Sequence, residues 1–568
     1  MIARLSAYER VGRFAAIAGA ALVLLSVMLP WAYGKRALDD MTYFFGPSPL
    51  QLCGAGVAAV CLAALIAGLV ALPGRGPTML CWNDMARVGG IGLAFYVGAV
   101  LVAVAVATGG LVNVEAGGWL AFGGAVLAAL GGLTLPDSPQ ATLSHFLTPS
   151  WGQIAAIVVA IASALFAAAA AVNQGDVEDF VVFGVWLAAA IFLVRASGVF
   201  AWLSLAAAGN RQVLVMAAFV AAFAFPFTQN GSDANMSVAA QVLTFAGTAI
   251  GLNIVVGLVG LLDLGYIAFL GAGAFTAAVL SKSAFATLSV DLPFPVVVVI
   301  SGTVASLLGL LIGTPTLRVS GDYLAIVTLA FGEIFRITMN NLDGTDGPNI
   351  THGSNGVPGI PNLNLFGFDF GQSHEILGVT LTRHANYYML LLVVIALIIV
   401  VFTNLNHSRI GRGWVAIRED EMAAEAMGVN TFALKLLAFA GGAFLAGVAG
   451  SVKAYTDTSV SPDQYVFLES AFLLAAVVLG GMGTVMGVLI GATILKLLPE
   501  KLRFFDDYRL LLFGALMVLM MRFRPEGIIA DERRQLEFHD EDEELAEDVE
   551  TELVVHQAHH NLEGGKRS

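Results

Sequence analysis

Residues 385–404 read ANYYMLLLVVIALIIVVFTN, an unbroken stretch without a charged side chain. A helix rises about 1.5 Å per residue, so roughly 20 such residues span the hydrocarbon core of a bilayer, which is about 30 Å thick. A helix also satisfies its backbone hydrogen bonds internally, as lipid requires. The stretch therefore predicts a transmembrane helix.

Stretches of this kind recur along the whole chain and predict an all-α polytopic membrane protein with about sixteen transmembrane helices. They lie near residues 14–32, 51–72, 88–109, 118–135, 152–172, 180–205, 212–228, 236–257, 264–281, 294–314, 321–340, 385–404, 431–452, 467–480, 484–498 and 508–522. The short pair 467–480 and 484–498 is joined by Gly480-Gly481-Met482-Gly483. This pair predicts either two crossings or two half-spanning helices.

Composition leads to the same class. Of 568 residues, 58% are hydrophobic and 12% charged, and the mean hydropathy is +0.81. A soluble chain carries roughly twice that share of charge. The net charge of −14 is concentrated in residues 531–568, which hold 13 acidic and 4 basic residues. That tail is expected to be disordered and solvated, and nothing resembles a basic nucleic-acid surface.

Lys and Arg residues predict the orientation, because they accumulate in cytoplasmic loops. With a cytoplasmic N-terminus, most of the basic loop residues fall inside, although Lys35, Arg36 and Arg383 fall outside. Both termini and the loop 405–430 are therefore expected in the cytoplasm.

The chain divides into four regions on this pattern. Residues 1–135 form a four-helix membrane module, and 136–211 form a two-helix connector. Residues 212–530 hold the denser motifs, and 531–568 form the acidic tail.

One candidate translocation segment is GLNIVVGLVGLLDLGY at residues 251–266. Its glycines permit a helix break in lipid, next to one carboxylate. Either close helix packing or a bend that lines a pathway accounts for it. The candidate pathway residues here are Asn253, Asp263 and Tyr266.

A second candidate segment is RVSGDYLAIVTLAFGEIFR at residues 318–336. Asp322 is placed to cap the helix that Tyr323 begins. Glu333 and Arg336 share a helix face and can form an ion pair, with a direct substrate contact as the alternative. Glu469 opens the apolar stretch 467–480 and suits a helix N-terminus.

The cytoplasmic loop holds a short amphipathic helix over 413–427, with Gly428 and Asn430 as its stop. An acidic helix is poorly suited to an anionic lipid surface, so docking to a soluble partner is the preferred interpretation. The residues predicted to take part are Arg412, Trp414, Ile417, Arg418, Glu419, Asp420, Glu421, Met427 and Gly428.

Several catalytic signatures are missing from the sequence. There is no G-x-x-x-x-G-K-S/T phosphate loop and no H-E-x-x-H motif, so neither ATP hydrolysis nor zinc catalysis is expected of this chain. Cys53, Cys61 and Cys81 have no metal-binding spacing. No cofactor or metal is expected, and the chain is predicted to be a transport subunit, not an enzyme.

Together these segments resemble the permease subunits of branched-chain amino acid ABC importers, of the LivM type. The strings GLNIVVGLVGLLDLGY, RVSGDYLAIVTLAFGEIFRI, GRGWVAIREDEMAA and ESAFLLAAVVLGGMGT are similar to recurrent segments of that family, in its order. The ending MRFRPEG at 521–527 is similar to its terminal element. The resemblance covers about 212–530. Residues 1–135, the acidic tail and an insertion near 345–358 depart from it.

The resemblance implies a function and a set of partners. Such a subunit lies in the bacterial inner membrane and pairs with a homologous second permease. Two cytoplasmic ABC ATPase subunits drive alternating access, and an extracytoplasmic binding protein delivers leucine, isoleucine or valine. Residues 411–428 would be the coupling helix that contacts an ATPase.

Four alternatives stay open. Asp263, Glu333 and Glu469 near broken helices are a weak sign of an ion-coupled secondary transporter. An importer permease for a related substrate, such as urea or amides, is a second possibility. Residues 1–135 could add a sensor or scaffold, and the tail could contact an ATPase.

Overall fold

The computed structural model describes residues 9–32, 48–70, 80–138 and 150–501, without 175, 289, 291, 318–322, 346–347, 366 and 377, together with scattered positions between 511 and 529. The predicted residue Asp322, most of the predicted helix 508–522 and the acidic tail lie outside the described residues.

The described residues are mostly α-helical. The helices are α1 Glu9–Ser26, α2 Pro49–Val70, α3 Trp82–Thr108, α4 Ala116–Leu133, α5 Ser150–Asn173, α6 Val177–Ala196, α7 Val199–Gly209, α8 Arg211–Ala224, α9 Asp233–Asn253, α10 Ile267–Leu280, α11 Phe294–Thr316, α12 Tyr323–Asn341, α13 Arg383–His407, α14 Arg409–Glu419, α15 Glu421–Ala426, α16 Thr431–Asp457, α17 Phe467–Gly480 and α18 Val485–Lys501.

Six short strands form three antiparallel pairs. Strands β2 Asn364–Leu365 and β3 Phe368–Asp369 pair, as do β4 His374–Ile376 and β5 Val379–Leu381. Strand β1 Val357–Pro358 pairs with the distant β6 Ser459–Val460, with Val357 opposite Val460.

Twelve helices of the described residues are long and apolar enough to cross a membrane. They are α2, α3, α4, α5, α6, α8, α9, α11, α12, α13, α16 and α17, some with a flanking turn. The predicted class, an all-α polytopic membrane protein, is confirmed, while the count of sixteen and the orientation stay predictions. The predicted span 180–205 is divided, because Gly198 has a φ of 85° that ends α6 before α7 begins.

The chain forms two compact units. Of the described residues, the first contains those within 1–236 and 374–381 together with Lys501, and the second contains those within 237–373, 382–500 and 511–529. The first unit has its own buried core, in which the Tyr96 hydroxyl donates to the Leu50 carbonyl at 2.7 Å and the Trp31 indole donates to the Ser26 carbonyl at 3.0 Å.

In the second unit α16 packs against α10 and α11 through small residues. A Cβ atom added at Gly450 of α16 would lie 2.1 Å from the Leu270 carbonyl oxygen of α10. Such close contact between backbones is typical of small residues at membrane helix crossings.

We expect Gly450→Ala to destabilise the second unit, because the new methyl group meets backbone atoms that cannot move aside. Overpacking of this kind costs about 1–3 kcal/mol. Gly441→Ala in the same helix is the matched control, since its Cβ would have no atom within 4 Å. Thermal unfolding in detergent should show a lower Tm for Gly450→Ala than for Gly441→Ala, and equal values would contradict the close contact.

Candidate functional site

The candidate site is a break in the membrane helix that begins with α9. After Asn253 the chain forms a π-helical turn, Ile254–Leu258, and Gly260 then takes a φ of 81°. The Leu261 amide donates to the Val255 carbonyl at 3.0 Å, and α10 begins only at Ile267. The break predicted from the glycines of 251–266 is therefore present, and π-helical turns are common at functional sites.

Asn253 ties this break to a glycine turn more than 200 residues away. Its Oδ1 accepts from the Gly483 amide at 2.9 Å, and its Nδ2 donates to the Thr484 carbonyl at 3.3 Å. Gly481 and Gly483, with φ of 119° and 85°, form the turn between α17 and α18. The break and the glycine turn thus share one fully buried amide.

A later stretch of chain meets the same turn. The Ile528 amide donates to the Leu479 carbonyl at 2.9 Å, and the Ile529 amide donates to the Gly480 carbonyl at 3.0 Å. These bonds satisfy carbonyls at the C-terminal end of α17, which have no partner within the helix. Gly527, the last residue of the predicted terminal element 521–527, also lies beside the glycine turn, since a Cβ there would be 2.6 Å from the Gly481 Cα.

Three further hydrogen bonds connect the break to neighbouring helices. The Leu264 amide donates to Oγ1 of Thr328 in α12 at 3.1 Å, and the Ile267 amide donates to Oγ of Ser470 in α17 at 3.0 Å. The Tyr266 hydroxyl donates to the Gly442 carbonyl of α16 at 2.6 Å. Side chains therefore satisfy the backbone groups that the break releases, as lipid requires.

Asp263 is buried at the centre of the break. Its Oδ1 accepts from the Gly265 amide at 2.9 Å, while its Oδ2 has no hydrogen-bond partner.

The loop that was predicted to lie in the cytoplasm, residues 405–430, contains two helices instead of one. Asp420 takes an extended conformation between α14 and α15, and its carboxylate accepts from the Ala423 amide at 3.0 Å. This N-cap starts a new helix, so the predicted single helix over 413–427 is interrupted. We call α14, Asp420, α15 and the following residues to Gly428 the loop segment.

The loop segment is anchored to its own subunit by buried side chains. Trp414 is 1% exposed, and its indole donates to the Leu434 carbonyl of α16 at 2.8 Å. Lys435 of α16 contacts the Glu421 carboxylate at 2.5 Å, and Ile417 is also buried.

Arg418 connects the loop segment to the break itself. Its Nη1 donates to the Gly257 carbonyl at 2.8 Å, and its stem packs on Gly260, where a Cβ would lie 2.8 Å from the arginine Cγ. Gly257 belongs to the π-helical turn, so the arginine satisfies a carbonyl near a helix C-terminus.

The outer side of the loop segment exposes two methionines. Met422 is 80% and Met427 is 85% exposed. The other exposed residues that were predicted here are Arg412, Glu419, Asp420, Glu421 and Gly428. Met422 was not among the predicted residues. It could have been identified from the sequence, because it is an apolar side chain among acidic neighbours.

Of the remaining predicted pathway residues that the structure describes, Glu333 and Glu469 form ion pairs and Tyr323 is exposed. Arg336 Nε contacts Glu333 Oε2 at 2.9 Å, so the ion pair predicted from their spacing is present. Glu469 near the start of α17 contacts Lys496 of α18 at 2.7 Å, and Tyr323 is exposed. Among the described residues, no three His, Cys, Asp or Glu side chains are placed to hold a metal ion.

Comparison with known proteins identifies relatives. The family described as "Branched-chain amino acid transport system / permease component" matches residues 234–521. The high-affinity branched-chain amino acid transport system permease protein LivM of Salmonella typhimurium is 39% identical over 340 residues, which cover 58% of this chain and 77% of that protein. LivM of Escherichia coli is 38% identical over the same shares.

A different permease protein is also similar. LivH of Escherichia coli is 29% identical over 184 residues, which cover 32% of this chain and 58% of that protein. No solved structure matches the chain significantly.

Proposed function

We propose a function on one premise: this chain belongs to the family of permease components of branched-chain amino acid transport systems. It is the membrane-spanning permease subunit of an ABC importer, and ATP is hydrolysed on separate subunits. Branched-chain amino acids cross by alternating access through the bacterial inner membrane. Two cytoplasmic ATPases, a second homologous permease and an extracytoplasmic binding protein complete the importer.

The observation that supports this function most directly is the contact between Arg418 and the Gly257 carbonyl. A permease must convert movement at an ATPase surface into movement of its membrane helices. Here the loop segment, which is the proposed coupling element, hydrogen-bonds directly to the broken membrane helix. A displacement of α14 therefore acts on the break without an intermediate residue.

The two sides of the loop segment support different roles. Trp414, Ile417 and Arg418 face the permease, so their proposed part in coupling is to transmit movement inward. Met422 and Met427 face outward, and methionines are flexible apolar anchors at protein surfaces. We propose these two side chains as the contact with the ATPase, with Glu419 and Asp420 at its edge.

The coupling role requires a cytoplasmic loop segment, and hence cytoplasmic N- and C-termini. Within the chain, residues 212–530 form the importer core, and residues 1–135 and 136–211 are additions to it. The family match begins at residue 234, which supports this division.

Asn253, Asp263 and Tyr266 line the proposed pathway at the break. Their hydrogen bonds cross to α16 and to the glycine turn, so a rearrangement of the break changes the helices around it. The ion pairs of Glu333 and Glu469 with basic side chains leave Asp263 as the carboxyl that an ion-coupled mechanism would use.

We expect ATP-dependent uptake of labelled leucine by vesicles that contain the chain, a second permease and two ATPases, with binding protein supplied outside. Excess isoleucine and valine should compete, whereas urea and acetamide should not. Uptake without the ATPases, driven by a proton or sodium gradient, would overturn the ABC assignment and favour an ion-coupled transporter.

Removal of the two methionine side chains should weaken ATPase docking. Truncation of a central interface anchor costs about 1 kcal/mol or more, so if both methionines are such anchors, Met422→Ala with Met427→Ala should lower the affinity for the ATPase about tenfold or more. Titration of the purified ATPase against the reconstituted permease measures this affinity.

Met216→Ala is the control for the methionine pair. Met216 is also exposed, but it lies on α8, in the first unit. An equal effect of the control and of the double variant, or no effect of the double variant, would contradict docking at Met422 and Met427.

A further inference from the structure

Helix α12 carries charge in the middle of its length, on a side that the described residues leave exposed. Glu333 is ten residues from Tyr323 and eight from Asn341, about 15 Å and 12 Å along the helix axis. Its side chain is 41% exposed. Among the twelve candidate spans, α12 has the lowest mean hydropathy.

The rest of this side is apolar and forms one stripe, which we call the α12 face. It consists of exposed side chains at helical spacing, with Glu333 at its edge. These are Tyr323, Ile326, Val327, Ile334 and Ile337. Because lipid would suit the stripe but not the carboxylate beside it, a lipid-facing position is unfavourable.

A second carboxylate extends the charge. Arg336 Nη1 lies 3.7 Å from Asp463 Oδ1, in the turn Pro462–Gln464 that precedes α17, and Asp463 is exposed. The Glu333 carboxylate already accepts hydrogen bonds from Nε and Nη2 of Arg336. The three residues carry a formal charge of −1, so exposed carboxylate oxygens remain available to hydrogen-bond donors.

Helix α11 exposes a side without charge. It has no charged residue, and its exposed side chains include Val299, Leu307 and Leu311. The contrast with α12 is therefore chemical, since both helices expose large aliphatic groups but only α12 adds carboxylates.

We infer that the α12 face, with Glu333 and Asp463, is the surface on which the second permease subunit packs. The inference rests on the proposed function, which supplies a second membrane subunit. The covering helix presents an apolar stripe together with a basic side chain or hydrogen-bond donors opposite Glu333 and Asp463. That pairing removes the carboxylates from lipid and matches their negative charge.

The test uses the complete importer with a photoreactive residue at Ile334 or Ile337, and at Leu311 as the control. We expect adducts with the second permease from Ile334 and Ile337, and none above background from Leu311. Adducts confined to lipid at Ile334 and Ile337, adducts between two copies of this chain, or equal adducts from Leu311 would overturn the inference.

A charge variant gives a separate readout. The double variant Glu333→Gln with Asp463→Asn should retain less of the second permease during purification than the wild type does. Glu375 is an exposed acidic residue on β4, and the control variant Glu375→Gln should retain as much of the second permease as the wild type. Full retention in the double variant would contradict the charge pairing. If the wild-type complex contains no second permease at all, that result contradicts the proposed function itself. If the complex contains a second permease that does not contact the α12 face, only the inference about this surface is wrong.

Discussion

A helix that breaks within a membrane must find new partners for the backbone groups that it releases, and the second unit is organised around this constraint. The break between α9 and α10 obtains its partners from side chains distant in sequence. Thr328 and Ser470 accept from the amides of Leu264 and Ile267, and Arg418 donates to the Gly257 carbonyl. Each partner lies on a different helix, so these hydrogen bonds fix the positions of α12, α14 and α17 relative to the break.

This arrangement makes the break sensitive to any of its neighbours. A hydroxyl that accepts a hydrogen bond from a backbone amide loses that bond when the helix carrying the hydroxyl shifts by about an ångström or two. The reason is that hydrogen bonds weaken steeply with distance and angle. The unpartnered Oδ2 of Asp263 lies in the same segment, so the network is already incomplete in this conformation. A second conformation that satisfied Asp263 would compensate for bonds lost elsewhere, which is what an alternating-access protein needs.

The sequence predicted these features unequally, for physical reasons. Apolar length fixes the spans, and the spacing of Glu333 and Arg336 fixes their pairing, because both depend on local geometry. The direction of Trp414 depends instead on the Leu434 carbonyl, which α16 brings to it. The bonds of Asn253 to the glycine turn join residues more than 200 positions apart, and no local pattern contains them. The split at Asp420 could have been found, since an Asp three residues before Ala423 is a typical N-cap.

The boundary of the family bears on the role of the first unit. The family match begins at residue 234, and the two compact units divide at residue 236, so the addition to the family core is also a structural unit. Two later parts of the chain, the β4–β5 hairpin and Lys501, nevertheless belong to this unit, although both lie within the family region. Lys501 donates to the Val172 and Gln174 carbonyls and so satisfies groups at the C-terminal end of α5. A module joined by one linker could be removed without leaving unsatisfied groups. Since the hairpin and Lys501 complete the first unit from later parts of the chain, removal of residues 1–236 would leave both without these contacts.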